Sequence, residues 1–521
     1  MSERDNQASL AASDAVFAWC LRSALRMERE GDIERAALWA YVAAGTGIYY
    51  GHSHLCSPPL ETLVARLGTT IAPASPGTIA SDSGGSRGRR WLHVFSETLI
   101  FGGHTVLARR WIGHDRSGDR HALALTMQSA DKVESGLARA VTATGGSVKS
   151  VAGEGGLVRR AARLRQLAIE SADVVVLHAH QWDVVPSMAF AAAGGPPVLL
   201  LNHADHAFWV GVSVADTVID IRDSGLALSR RFRGVRRSAM LPVPLEDRGL
   251  APPDRTTAAA RLDDPTLLDA GLVLLTVGSG YKYRKLAGLD FPETLARIVE
   301  MLPECVAIAV GPEANDPLWQ ALKAQTRGRV RAVGLDADLA AWHAAADLYL
   351  EGFPVGSYTA LLEVALAGRA FVRKPLLAPP EELPIDRGGL AGIEPPATPD
   401  AYVLQAMQYA HDPQVRSRDA RATRSAVLAT HCGEGWMARL EDLRGSLPSA
   451  HEPSTVGDLP SLTPGLRDYW ARFHAAPRYE GPLEFAIRTA EAQGLRVRTD
   501  IAVRDASLSR VAKASQTDRS L

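Results

Sequence analysis

The stretch Asp347–Gly368 reads DLYLEGFPVGSYTALLEVALAG. Leu348-Tyr349-Leu350 has the short apolar form of a buried strand, and Gly352, Pro354 and Gly356 set a turn. From Tyr358 to Ala367 the apolar residues Leu361, Leu362, Ala365 and Leu366 recur at helical spacing. A strand, a Gly-rich turn and a helix start in that order present the free N–H groups and positive dipole end of the first helical turn, which suit an anion. Ser357 and Thr359 add hydroxyl donors. Glu363 lies one turn beyond Thr359 on the same face, where a carboxylate can accept hydrogen bonds from hydroxyls. A helix with a Gly-rich N-cap is the plainer reading of the same pattern.

Working outward, VGSGYKYRK (Val277–Lys285) has the same plan. Gly278 begins a Gly-rich turn at the end of an apolar strand, and Lys282, Arg284 and Lys285 follow. Cations there suit a diphosphate leaving group. Strands are expected at Leu272–Val277, Cys305–Val310, Val330–Val333, Leu348–Leu350 and Ala370–Val372, with helical stretches between them. Strands alternating with helices imply a parallel sheet. Asp336-Ala337-Asp338 has a DxD form, but it opens a helix and reads as its N-cap.

The preceding half repeats the texture. Strands are expected at Trp91–Phe95, Ala122–Leu125, Ser147–Val151, Val174–Leu177, Val198–Leu201, Thr217–Ile221 and Ala239–Pro242, with helices such as Asp131–Thr144 and Leu157–Ser171. Three loops after these strands carry histidines: Gly102-Gly103-His104; His178, His180 and Asp183; and His203, Asp205 and His206. Near neutrality an imidazole can exchange a proton with an acceptor, and a carboxylate can orient it. His104, and His203 or His206 with Asp205, are the candidate catalytic groups.

Two α/β halves joined by a linker imply two Rossmann-like domains facing a cleft, with ligands outside the carboxyl ends of the strands. The expected divisions are a helical N-terminal domain (1–72), a Pro/Gly/Ser-rich linker (73–90), the first Rossmann-like domain (91–245), a linker (246–269), the second (270–445), and a helical extension and tail (446–521) with a helix at Leu483–Gln493. The last residues are expected to be disordered.

The 521 residues carry 57 Lys+Arg against 58 Asp+Glu, so nothing favours a nucleic-acid partner. No apolar run approaches the ~20 residues of a membrane span. The N-terminus lacks signal-peptide form, and four scattered cysteines (Cys20, Cys56, Cys305, Cys432) suit a reducing cytoplasm.

The second half resembles the donor-binding domain of GT-B glycosyltransferases. The Val277–Lys285 turn is similar to their phosphate-contacting Arg/Lys loop, and Glu351–Glu363 to their glutamate-bounded Gly-rich loop. The two glutamates stand twelve positions apart, wider than the common form. FPVGSYT looks closer to the helix start of protein O-GlcNAc transferase and of the cytoplasmic protein N-glycosyltransferases. His178-Ala179-His180 resembles a loop of the large retaining, family 4-like GT-B enzymes.

The resemblance implies a hexosyl- or N-acetylhexosaminyl-transferase. Its donor would be a nucleotide-diphosphate sugar, UDP-sugar favoured, held by Gly278, Lys282, Arg284, Lys285, Gly356, Ser357, Tyr358, Thr359 and Glu363. The acceptor would be a protein, a glycan or a small molecule. No metal or other cofactor is expected, because cations and a helix dipole replace it. Three alternatives stand beside this reading: a metal-dependent hydrolase using the His178/His180/Asp183/His203/Asp205/His206 cluster, a sugar-nucleotide epimerase of the same fold, and a degenerate binding module.

Overall fold

The computed structural model describes residues 3–71, 88–99, 103–247, 254–285, 288–336, 338–376, 381–390, 392–467 and 481–495. The chain forms two compact units. One comprises Met1–Leu241 with Arg439–Leu521, the other Pro242–Ala438.

The first unit holds seven parallel strands: β1 (Arg90–Phe95), β2 (Arg120–Leu125), β3 (Val148–Ser150), β4 (Val174–Leu177), β5 (Val198–Asn202), β6 (Thr217–Asp220) and β7 (Ser238–Met240). Their order is β3-β2-β1-β4-β5-β6-β7. The order reverses between β1 and β4, which creates a crevice at their carboxyl ends. Near-continuous apolar runs such as VVVL in β4 and VLLL in β5 are buried throughout, as a sheet covered on both faces requires.

Helices α1 (Glu3–Arg29), α2 (Ile33–Tyr50) and α3 (Pro58–Thr69) precede the sheet. Expected as a separate small domain, they bury Val16, Trp19, Trp39, Val42, Leu63 and Val64 in the same core as Val94, Val175 and Val198. Two carboxylates fasten these helices to the sheet layer. Glu34 accepts the Leu157 and Val158 N–H groups at the start of α6 (Leu157–Ser171), whose N-cap Gly156 has no side chain to do so. Buried Glu61 accepts the N–H groups of Gly211, Val212 and Ser213 and the Ser213 hydroxyl.

The other helices of this unit are α4 (Gly103–His114), α5 (Ser135–Ala143), α7 (Val184–Ala189) and α8 (Asp223–Phe232). The chain after Arg439 returns to this unit. There His451 bonds to Asp216 and to the Phe190 carbonyl, and Phe485 packs on Tyr49. The helix expected at Leu483–Gln493 spans Pro482–Ala492. Most of the expected 73–90 linker, Gly102 and the end of the tail lie outside the described residues.

The second unit holds β8 (Leu272–Val277), β9 (Cys305–Val310), β10 (Val330–Ala332), β11 (Leu348–Leu350) and β12 (Ala370–Val372), all parallel, in the order β10-β9-β8-β11-β12. The reversal falls between β8 and β11. The helices are α9 (Arg255–Arg261), α10 (Thr266–Asp269), α11 (Phe291–Met301), α12 (Pro317–Gln325), α13 (Leu339–Ala345), α14 (Tyr358–Leu366), α15 (Pro399–His411) and α16 (Pro413–His431). α9 and α10 occupy the stretch expected as linker. Asp338 caps α13 by accepting from Ala341 N–H, as expected, while Asp336 accepts from the Trp342 Nε1–H and the Asp338 N–H.

Candidate functional site

In the second unit, the loops after β8 and β11 meet at the reversal point. The turn Gly280–Tyr283 brings Lys282 Nζ to donate to Ser357 Oγ at 2.9 Å. Tyr283 anchors this turn. Its ring is buried against Phe291 and Trp319, and its hydroxyl pairs with Thr276 at 3.1 Å. Glycine makes the approach possible. A Cβ on Gly352 would lie 2.4 Å from the Tyr283 ring, and one on Gly278 would lie 3.1 Å from Ser357 Oγ.

Ser357 is the N-cap of α14, yet its side chain makes no capping bond. Its hydroxyl is turned to Lys282 rather than to the first turn of the helix. An ammonium beside an uncapped helix start favours a bound anion. Tyr358 and Thr359 stand in that turn.

Glu351 has a different task. Its carboxylate is buried and accepts Lys374 N–H at 2.9 Å, while Tyr402 holds its carbonyl. A Cβ on Gly356 would come within 2.3 Å of Glu351 Oε1 and 2.7 Å of Lys374 Cδ. Glu351 thus braces the 351–357 loop, and the Lys374 stem runs beside it. The sequence reading passed over Lys374, although a lysine following β12 belongs to the same carboxyl-end layer. Glu363 is half-buried near His343. Burial pushes the His343 imidazole down to about 4, against the pull of Glu363.

The structure does not gather all the predicted cations. Lys285 is 64% exposed and pairs with Asp290 at 3.1 Å and Glu293 at 3.7 Å. Arg284 is exposed.

In the first unit, the loops after β1, β4 and β5 gather the predicted histidines. His104 stacks on His203 with centroids 5.1 Å apart and stands edge-on to His180 at 5.9 Å. His180, Gln181, His203, Asn202 and Trp209 help line a shallow recess. Burial lowers all three imidazoles, with mutual repulsion adding for His180 (to about 4) and His203 (to about 3). They therefore stand neutral at pH 7, with lone pairs to offer.

His203 Nε2 accepts from Gln181 at 2.8 Å, and its Nδ1 faces the Leu201 carbonyl at 3.3 Å. Both its nitrogens are occupied. His104 Nε2 faces the Glu97 carbonyl at 3.3 Å, which leaves Nδ1 as its basic atom.

Asp205 is held chiefly by an arginine and only at longer range by His206. Arg222 grips it with two bonds of 2.5 and 2.6 Å, while His206 lies 3.3 Å away. Burial works against this carboxylate, but the Arg222 guanidinium outweighs it and holds Asp205 far below the usual range. Asp183 accepts from Ser96, Thr126 and Val185 N–H, which ties the loop after β4 to β1 and β2. Among the described residues no group of three His, Cys, Asp or Glu is arranged to hold a metal. No described helix is long and apolar enough to cross a membrane.

Two doubly wound parallel sheets, each with its polar residues at the carboxyl ends, define a GT-B glycosyltransferase-like fold. A glycosyltransferase from Rickettsia africae superposes with a TM-score of 0.50 at 10% identity, over 68% of this chain and 97% of that one. A Thermobaculum terrenum O-GlcNAc transferase variant gives 0.49 at 18% identity, over 90% of this chain and 84% of that one. Anabaena HepE, solved with UDP and glucose, gives 0.49 at 14% identity, over 69% and 99%. At such identities the likeness is one of fold. No protein-family model and no curated protein matches the chain.

Proposed function

We propose that this chain is a glycosyltransferase that takes a sugar from a nucleotide-diphosphate donor, with UDP-sugar the favoured donor, and passes it to a hydroxyl or amide acceptor. The observation that carries the reading is the Lys282–Ser357 contact at the β8/β11 reversal, beside the uncapped start of α14. Diphosphate is the group such a site fits: the ammonium neutralises charge as the sugar–phosphate bond breaks, and the helix N–H groups hold the oxygens. Glu363 is assigned to the ribose hydroxyls.

In the first unit His104, whose Nδ1 is its basic atom, is the group best suited to receive the acceptor proton. His203 serves as its stacking partner, and Asp205 and His206 support the loop. Metal independence belongs to this proposal and rests on the Lys282 ammonium and the helix dipole.

A panel of nucleotide sugars tests the reading. UDP and one UDP-sugar should raise the melting temperature, as a ligand specific to the folded state does. Incubation with that UDP-sugar should release UDP, and the sugar should appear on an acceptor or as free sugar. Isomerised UDP-sugar without release would identify an epimerase instead. No thermal shift with any nucleotide would overturn the proposal.

A further inference from the structure

Three histidines in the first unit's core belong to no part of the site described above, or touch it only at one end. β1 reads RWLHVF and β2 reads RHALAL. Each carries one imidazole inside an apolar run, and His178 directly follows β4. The sheet register places His93 level with Val176 and Leu123, and Trp91 level with His121. His178 follows Leu177, which pairs with Val94, so it stands level with Phe95. Positions at the levels of 95, 93 and 91 share one face of the sheet, because side chains alternate with a period of two. The three rings therefore descend across neighbouring strands, from the carboxyl end toward the amino end.

They are hydrogen-bonded head to tail. His178 Nε2 lies 2.9 Å from His93 Nδ1, His93 Nε2 lies 3.0 Å from His121 Nδ1, and His121 Nε2 lies 3.1 Å from Asp115 Oδ2. All four residues sit in the interior. An ionised Asp115 fixes the direction of every bond. His121 must carry its proton on Nε2, so its Nδ1 accepts; His93 and then His178 must follow suit. The chain ends on His178 Nδ1, which is buried and has no hydrogen-bond partner among the described residues. A bare buried acceptor is costly to leave unmade. With one more proton the three contacts are also all satisfied, the proton resting on one of the rings or, when all three rings carry Nδ1–H alone, on Asp115.

We propose that His178, His93, His121 and Asp115 form a proton relay through the sheet, receiving at His178 Nδ1 beside the candidate site and delivering to Asp115. One passage forms the His178 Nδ1–H bond and moves the Nε2 protons of His178, His93 and His121 one place each. It ends with a proton on Asp115 Oδ2, so no net positive charge is left in the core. Used by the proposed transfer, the incoming proton is the one shed by the acceptor hydroxyl as its oxygen bonds to the sugar, passed on through His104; this use rests on the glycosyltransferase reading.

The surroundings suit a relay that resets. His178 stacks on Phe95, and Trp111 stands edge-on to His93. Trp91 stacks on His121, and Arg444 lies 3.8 Å from Asp115. Burial holds His93 and His178 well below the ordinary imidazole range, so both rest neutral. Burial opposes the Asp115 charge, but bonds from His121 and Ser117 prevail and hold it down to about 2, so the loaded form gives its proton back.

Asp115→Asn separates relay from scaffold. Its amide oxygen still accepts from His121 Nε2 but cannot take the proton. The relay predicts kcat lower by about 100-fold at unchanged KM. In histidine-labelled protein it also predicts slower solvent exchange of the His93 and His178 imidazole protons. His93→Gln, which bonds at both ends but cannot pass a proton, should act alike and serves if Asp115→Asn does not fold. Wild-type kcat and exchange rates in the folded variants would overturn the relay, as would a resting proton on His178 Nδ1 in nitrogen NMR. If the wild type transfers no sugar from any nucleotide sugar, the functional reading fails, and the exchange comparison alone upholds or overturns the relay.

Discussion

The carboxyl ends of the two sheets share a topology and differ in charge. In the first unit the polar groups there are imidazoles held neutral by burial; in the second they are an ammonium and an open helix start. The crevice position comes from the strand-order reversal, which both sheets have. On the proposed reading, the loops after those strands then decide whether that position handles protons or an anion.

The largest effects that would break this contrast are on nucleotide binding. Lys282→Ala should weaken UDP by about 10- to 100-fold in titration calorimetry, as expected for losing a charged donor. Gly356→Ala should do at least as much, since its Cβ would collide with Glu351 Oε1 at 2.3 Å. His104→Ala should leave UDP affinity within about twofold while lowering transfer. Equal losses of UDP affinity in Lys282→Ala and His104→Ala would erase the division of labour.

The next effect is on stability. Asp205→Asn removes one member of a buried ion pair and should destabilise the first unit by about 3 kcal/mol in denaturant unfolding. A variant as stable as wild type but without transfer would instead return Asp205 to a chemical role.

Acidification gives a smaller and graded difference. His52, His93, His104, His178, His180 and His203 all have lowered pKa values in the first unit, against His343 and His431 in the second. Such a group binds fewer protons folded than unfolded, so its contribution is complete above the ordinary 6.5 and is lost as pH falls below it. Glu61, Asp183 and Asp220, all pushed up by burial and Asp220 to about 6, oppose this with three groups against the six histidines. Between pH 6.5 and 4 the first unit should therefore open before the second, as hydrogen exchange can follow.

The smallest effect is at Lys285. Its surface pairing with Asp290 and Glu293 leaves UDP affinity within about twofold on Lys285→Ala. A loss matching Lys282→Ala would mean that the loop rearranges to bring both lysines to the anion.

Much of the scaffold was legible because parallel strands buried on both faces are continuous apolar runs. Val174–Leu177, Leu272–Val277, Cys305–Val310, Leu348–Leu350 and Ala370–Val372 begin and end where the pattern said. That Gly278, Lys282 and Ser357 come together follows from two Gly-rich turns ending neighbouring strands of one sheet. What could not be read was pairing across the chain. Nothing local shows that Arg222 claims Asp205, that Asp290 claims Lys285, or that Glu61 and Glu34 fasten the N-terminal helices to the first sheet. His93 and His121 did leave a trace, as single polar residues inside apolar strands, but only the register shows that they touch.

The central claim is that nucleotide diphosphate sits at the β8/β11 reversal. Hydrogen exchange with and without UDP tests it most directly. The amides of Gly278–Tyr283 and Tyr358–Leu361 should gain protection, with those at the carboxyl ends of β1, β4 and β5 little changed. Protection confined to the first unit, or absent from both segments at saturating UDP, would contradict the account.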